Sequence, residues 1–201
     1  MTHQITLYGF GPTRSARCRW TLLELGLPFE NVDDRTLVGS ERLRALHPQA
    51  KLPAIEIDGR PLFESAAICT HLCDLAPARG LIGQAGTWER ALHEQWVCFV
   101  LSEMEAYLWS NAKHQTFYPA EQRVQAVVAP NFTEFRAGAK VLEDVLSDTD
   151  YLVGGRFSVT DIVVGWAVNW GRRMGQLDDM PALLAYLRRL FARESCTLNQ
   201  D

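Results

Sequence analysis

Ala54-Ile55-Glu56-Ile57-Asp58-Gly59-Arg60-Pro61-Leu62-Phe63 reads as two short strands joined by a two-residue turn. Asp-Gly tolerates positive φ at both central positions, which a type I′ turn requires and which suits the twist of the flanking strands. A turn this tight makes the two strands antiparallel. A purely parallel, doubly wound sheet is thereby excluded, because its strands need long crossover connections.

Upstream of the hairpin the pattern alternates between strand and helix. Ile5 and Leu7 mark a first strand ending at Tyr8. Arg14 to Leu25 reads as a helix with Cys18, Leu22 and Leu25 on one apolar stripe, Ala16, Trp20 and Leu23 on another, and Gly26 as its stop. Phe29 to Val32 fits a second strand, and Gly39 to Leu46 a short helix closed by His47-Pro48. A third helix begins near Glu64-Ser65, so the order is β-α-β-α-β-β-α, an α/β unit over residues 1–78. Pro77, Gly80, Gly83 and the stretch Gln84 to Gly86 make a linker. From residue 86 to 201 the chain reads as all helix, over Thr87 to Asn111, Pro119 to Leu146, Ser158 to Met174 and Pro181 to Ala192, with a kink expected at Pro130. In Phe157-Ser158-Val159-Thr160-Asp161-Ile162 the spacing gives a capping box between Ser158 and Asp161 and a staple between Phe157 and Ile162. Asp161 is thereby assigned to folding and not to catalysis.

The chain has 201 residues, 47% of them apolar and 22% charged, which suffices for one good core or two modest ones. A net charge of −4, with Arg172-Arg173 and Arg188-Arg189 as the main basic pairs, argues against nucleic acid or an anionic membrane as partner. The amino terminus is polar, and the longest apolar run, Trp96 to Leu101, is too short to cross a bilayer, so a soluble cytoplasmic protein is expected. Cys18, Cys69, Cys73, Cys98 and Cys196 are odd in number and irregular in spacing, which suits reduced thiols. Cys69 and Cys73 fall four apart on an apolar helix and read as small core residues, with no metal implied.

Between the first strand and the first helix stands Gly11-Pro12-Thr13-Arg14-Ser15. Unpaired backbone N–H groups and the positive dipole end of the helix favour an anion there, and neighbouring hydroxyls can hydrogen-bond a thiolate or carboxylate. Ser and Thr at such a place also serve as simple helix caps.

Taken together, the β-α-β-α-β-β-α unit, the helical half, Leu52-Pro53 before the third strand, Glu64-Ser65 before the third helix and the Ser158/Asp161 box resemble a cytosolic glutathione S-transferase. Ser15-Ala16-Arg17-Cys18-Arg19 is similar to the S-x-R-x-R stretch of zeta-like and tau-like members, which suggests a bacterial protein of the serine/threonine type. The resemblance implies a thioredoxin-like domain over residues 1–78 and glutathione as co-substrate. It implies a cis Leu52–Pro53 bond with the Leu52 backbone on the cysteinyl unit, Glu64 and Ser65 on the γ-glutamyl end, and Lys51 on the glycyl carboxylate. It also implies a two-fold homodimer in which the third-helix region of one subunit meets the first helix of the other's helical half.

Conjugation requires a thiolate, because the protonated thiol is a poor nucleophile. The position usually held by the active serine falls on Pro12, which has no hydroxyl. Thr13 is the first candidate for the thiol contact and Ser15 the second, with Tyr8 matching the active tyrosine of other classes. No cysteine lies between residues 8 and 15, which argues against a mixed-disulfide mechanism. Phe10, Tyr107, Trp109, Trp166 and Trp170 are the candidates for an apolar electrophile pocket between the halves. The short tail after Ala192 leaves that pocket open. The expected activity is detoxifying conjugation of glutathione to small hydrophobic electrophiles. A glutathione-dependent isomerase or lyase, or a noncatalytic interaction module suggested by Pro12, stand beside it.

Overall fold

A computed structural model describes residues 3–11 and 13–198. Four strands, β1 (Ile5–Tyr8), β2 (Glu30–Val32), β3 (Ala54–Ile57) and β4 (Arg60–Phe63), form a mixed sheet in the order β2-β1-β3-β4. β1 runs parallel to β2 and antiparallel to β3, with Ile5 opposite Ile57 and Leu7 opposite Ile55. Asp58 and Gly59 have φ of 51° and 75°, as the type I′ reading requires. The Asp58 carboxylate accepts the Gln4 N–H at 2.9 Å and so ties the turn to the start of β1.

Helices α1 (Ser15–Leu25), α2 (Glu41–Arg44) and α3 (Ser65–Leu75) complete the first half. Cys18, Leu22 and Leu25 of α1 pack with Leu7, Ile55 and the α3 residues Ile68, Cys69 and Leu72 in a sheet-side core. Trp20, on the opposite stripe, is fully buried in the core of the helical half. The second stripe stops there, because Leu23 is 45% exposed.

The helical half begins with α4 (Trp88–Val100), which runs through a π-helical turn at Leu101–Glu105 into α5 (Ala106–Ala112). After a second π turn at Lys113–Phe117 come α6 (Val128–Asp148), α7 (Val159–Arg173) and α8 (Pro181–Phe191). The helix expected from Pro119 starts nine residues later, and the expected kink does not form. Pro130 instead occupies the first turn of α6, where its missing N–H has no intrahelical partner to lose.

Asp161 is fully buried in the first turn of α7 and completes the capping box with Ser158. Its carboxylate accepts the Ser158 N–H at 2.8 Å, the Ser158 hydroxyl at 3.0 Å, the Leu152 N–H at 3.2 Å and the Tyr186 hydroxyl at 3.0 Å. His93 of α4 ties the halves together. Its ring nitrogens lie 3.0 Å from the Thr70 hydroxyl of α3 and 2.9 Å from the Thr160 hydroxyl of α7. Burial pushes its pKa down to about 4, so the ring is neutral at ordinary pH.

Candidate functional site

The loop before β3 and the turn before α3 face each other across a groove of about 320 Å³. The Leu52–Pro53 bond is cis. Glu64, just before α3, has φ 70° and ψ 108°, a backbone conformation that a residue with a Cβ adopts only at a cost. Ser65 follows at the helix start and is 4% exposed. Lys51, Leu52, Pro53, Glu64 and Ser65 all line the groove, so residues separated in sequence converge as one surface. His47, Gln49 and Glu105 also line it and were not anticipated. The Lys51 ammonium reaches the Gln49 side-chain oxygen at 2.7 Å.

Beneath the groove lies a buried charge cluster. Glu105, 3% exposed at the end of the first π turn, pairs with both Arg14 and Arg17. Arg17 is fully buried, donates to the Val163 carbonyl of α7 at 2.8 and 3.1 Å, and donates to the Ser65 hydroxyl at 3.2 Å. Burial alone would push the Glu105 carboxyl up, but Arg17 and Arg14 outweigh it and hold the pKa below its ordinary value of 4.5.

The hydroxyl loop sits above α1. A Cβ on Gly9 would lie 2.4 Å from the Ser15 side chain, so only glycine lets Ser15 fold against the exit of β1. Ser15 is consequently fully buried, and its hydroxyl lies 2.9 Å from that of Thr13. Thr13 is partly exposed, and its hydroxyl donates to the Phe10 carbonyl at 2.8 Å. Its own carbonyl accepts the Trp166 indole N–H at 3.1 Å, which anchors the loop to α7. Ser15 does not cap α1. The Thr13 hydroxyl instead accepts the Ser15 N–H at 3.3 Å. Tyr8 gives its proton to Glu56 at 2.6 Å, and this bond with burial raises its pKa. Pro12, at the position of the expected serine, lies outside the described residues.

A second cavity of about 560 Å³ opens between the halves, beside the groove. Phe10, Trp109, Trp166 and Trp170 line it. Tyr107 does not, and packs partly buried against the helical core. The π turn at Leu101–Glu105 accommodates an extra residue, which rotates every later face relative to a regular helix and brings Trp109 and Phe117 to the cavity. The tail is also less open than expected. Leu198 lines the cavity and is 6% exposed, while the Thr197 hydroxyl donates to the Ala16 carbonyl at 2.7 Å. Asn169 and Arg173 line it too, and their signal was present in the sequence, since Trp166, Asn169, Trp170 and Arg173 fall at i, i+3, i+4 and i+7 of α7.

Two domain families match the chain, the glutathione S-transferase N-terminal domain over residues 7–80 and the glutathione S-transferase C-terminal domain over residues 125–189. The chain belongs to the glutathione S-transferase family. Among relatives of this transferase family, Glutathione S-transferase GST-4.5 of Xanthomonas campestris is 27% identical over 186 residues, covering 87% of this chain and 84% of the relative. A glutathione transferase from Methylococcus capsulatus superposes with a TM-score of 0.85 at 27% identity, covering 96% of this chain and 95% of that one. A sphingomonad glutathione S-transferase solved in complex with glutathione gives a TM-score of 0.83 at 25% identity, covering 95% and 94% of the two chains. The thioredoxin-like first half and helical second half are those of the family. Among the described residues no helix is long and apolar enough to cross a membrane.

Proposed function

We propose that the protein conjugates reduced glutathione to small apolar electrophiles through a stabilised thiolate, as a cytoplasmic detoxifying homodimer built from domains 1–78 and 86–201. The observation that supports this best is that groove and cavity share Arg14, Lys51, Leu52 and Trp109 as a common wall, with Thr13 on the cavity side of it. A tripeptide in the groove therefore presents its sulfur to whatever fills the cavity, and proximity does much of the catalytic work.

In this reading Thr13 turns its hydroxyl proton from the Phe10 carbonyl to the sulfur. Ser15, too buried to touch a ligand, donates to the Thr13 oxygen in its place. Thr13→Val should raise the thiol pKa of bound glutathione and lower turnover at neutral pH, with recovery in alkali where the thiol ionises unaided. The measurement is ultraviolet thiolate absorbance against pH. An unaltered titration in Thr13→Val would exclude this threonine, and no thiolate signal in the wild type would favour a noncatalytic module.

Glu64 and Ser65 hold the γ-glutamyl end and Lys51 the glycyl carboxylate. Ser65→Ala is expected to weaken glutathione binding by about 1–2 kcal/mol, the loss of a hydrogen bond to a charged group. Calorimetry giving equal affinity for both proteins would remove Ser65 from the site. For the assembly, we expect light scattering at micromolar concentration to give twice the 22.7 kDa chain mass, and a monomer mass would exclude the dimer.

A further inference from the structure

Beyond α8 the chain crosses back to the first half and is fastened there at two points. Arg193 makes a two-pronged pair with Glu24 of α1, with two guanidinium nitrogens each 2.8 Å from a carboxylate oxygen, and its guanidinium lies 3.6 Å from the centre of the Phe157 ring. A pair of this geometry fixes orientation as well as distance. Glu24 also accepts the Trp20 indole N–H at 2.9 Å, so the first fastening rests on a fully buried ring. The second is the bond from the Thr197 hydroxyl to the Ala16 carbonyl. Ordering this stretch costs conformational entropy that its contacts must offset. The result is that Leu198 is held in the cavity wall between α1 and α7. A Cβ on Gly165 of α7 would lie 3.7 Å from Leu198 and 2.3 Å from Leu190, so Leu198 stands close against the α7 backbone with the helical core behind it.

The place of Leu198 decides which part of a ligand meets it. Ala16, to which its neighbour is bonded, donates its N–H to the Thr13 carbonyl at 2.9 Å, and Trp166, next to Gly165, donates to the same carbonyl at 3.1 Å. Leu198 is therefore tied to the Thr13 loop from both sides. Resting on the transferase reading, which puts the sulfur at Thr13, we infer that Leu198 is a specificity-determining residue that packs against the reacting carbon and excludes electrophiles branched there. The preferred class is electrophiles that react at an unbranched carbon, such as a benzylic methylene bearing a halide. The thiolate attacks that carbon, the carbon–sulfur bond forms, the halide departs with its bonding electrons, and the thiol proton passes to solvent. A methyl group added to the carbon has to share space with Leu198. Leu198 cannot retreat, because the closely packed core behind it leaves no room.

The test separates binding from chemistry. S-Benzylglutathione and the two epimers of S-(1-phenylethyl)glutathione are unreactive and differ by one methyl on the carbon joined to sulfur. Calorimetry with the full-length protein is expected to show S-benzylglutathione bound about tenfold more tightly than the epimer whose methyl faces Leu198, the scale of one carbon in a fitted pocket. Leu198→Ala should close that gap, and Leu198→Met, which keeps the bulk, should retain it. Arg193→Gln combined with Thr197→Val leaves Leu198 itself intact but unfastens it, and should narrow the gap as well. The ratio between conjugates is the readout, since a general loss of stability would weaken both alike. Both epimers binding as tightly as S-benzylglutathione, or a gap that survives Leu198→Ala, overturns the inference. In the second arm benzyl chloride is turned over with glutathione. Turnover without a gap in binding overturns the inference and leaves the transferase reading standing. A gap that Leu198→Ala closes, without turnover, supports Leu198 as the selective wall and defeats the transferase reading. Binding of none of the conjugates defeats both.

Discussion

Glu105→Ala should destabilise the protein by about 3–5 kcal/mol, because it strands a fully buried guanidinium without a counter-charge. Arg17 would keep its bonds to Val163 and Ser65 but lose the carboxylate that balances it, and Arg14 would lose its partner at the same time. Urea unfolding of the single variant, and of Glu105→Leu combined with Arg17→Met, checks the cause. The double variant should recover much of the loss, since replacing a buried pair by apolar groups is far milder than halving it. A single variant within 1 kcal/mol of wild type, on the scale of an exposed pair, would show that water reaches the cluster. The sign with pH follows from the depressed carboxyl. The contribution of Glu105 is fully present above its unfolded value near 4.5 and is lost as pH falls through the lower folded value.

Asp161→Ala is expected to cost about 3 kcal/mol near neutrality, more than one helix cap, which is worth ~1 kcal/mol. The reason is that the carboxylate also serves the Leu152 N–H and the Tyr186 hydroxyl, and all of these groups are buried. Burial pushes its pKa up to about 6, from 3.8. The folded chain therefore holds this proton more tightly than the unfolded one, so the stability it contributes is greatest below pH 4 and is lost as pH rises through 6. A shift of about two units corresponds to roughly 3 kcal/mol, so the cost of Asp161→Ala should be larger at pH 5 than at pH 8. Chemical unfolding at the two pH values measures this, and a cost that instead grew with pH would mean the site stabilises the ion.

Glu105 and Asp161 also show what was readable in the sequence. Asp161 was legible because its capping partner lies three residues away and the box is a local pattern. The Asp58-Gly59 turn was legible for the same reason, since the backbone preferences of adjacent residues fix it, whereas Leu52-Pro53 and Glu64-Ser65 were legible only through the family resemblance. Glu105 was not, because its partners Arg17 and Arg14 lie 88 and 91 positions away and nothing local marks a carboxylate as buried. Tyr107 was offered on its aromatic character alone, which does not say which face of its helix a residue occupies, and it packs against the helical core. The start of the sixth helix was misplaced by reading apolar residues as helix through 119–127, where the chain forms short turns around Pro119 and ahead of Pro130.

The bond from the Trp166 indole to the Thr13 carbonyl also sets a timetable for the growing chain. It spans 153 positions, so Thr13 leaves the ribosome well before its anchor is made. At about 5–20 residues per second, the loop waits roughly 8–30 s for α7 to be made. Until then the Arg17 guanidinium also lacks its Val163 carbonyl, 146 positions on, and remains hydrated. The sheet and hairpin of the first half are thus synthesised long before α7 supplies the two anchors of the loop and of Arg17.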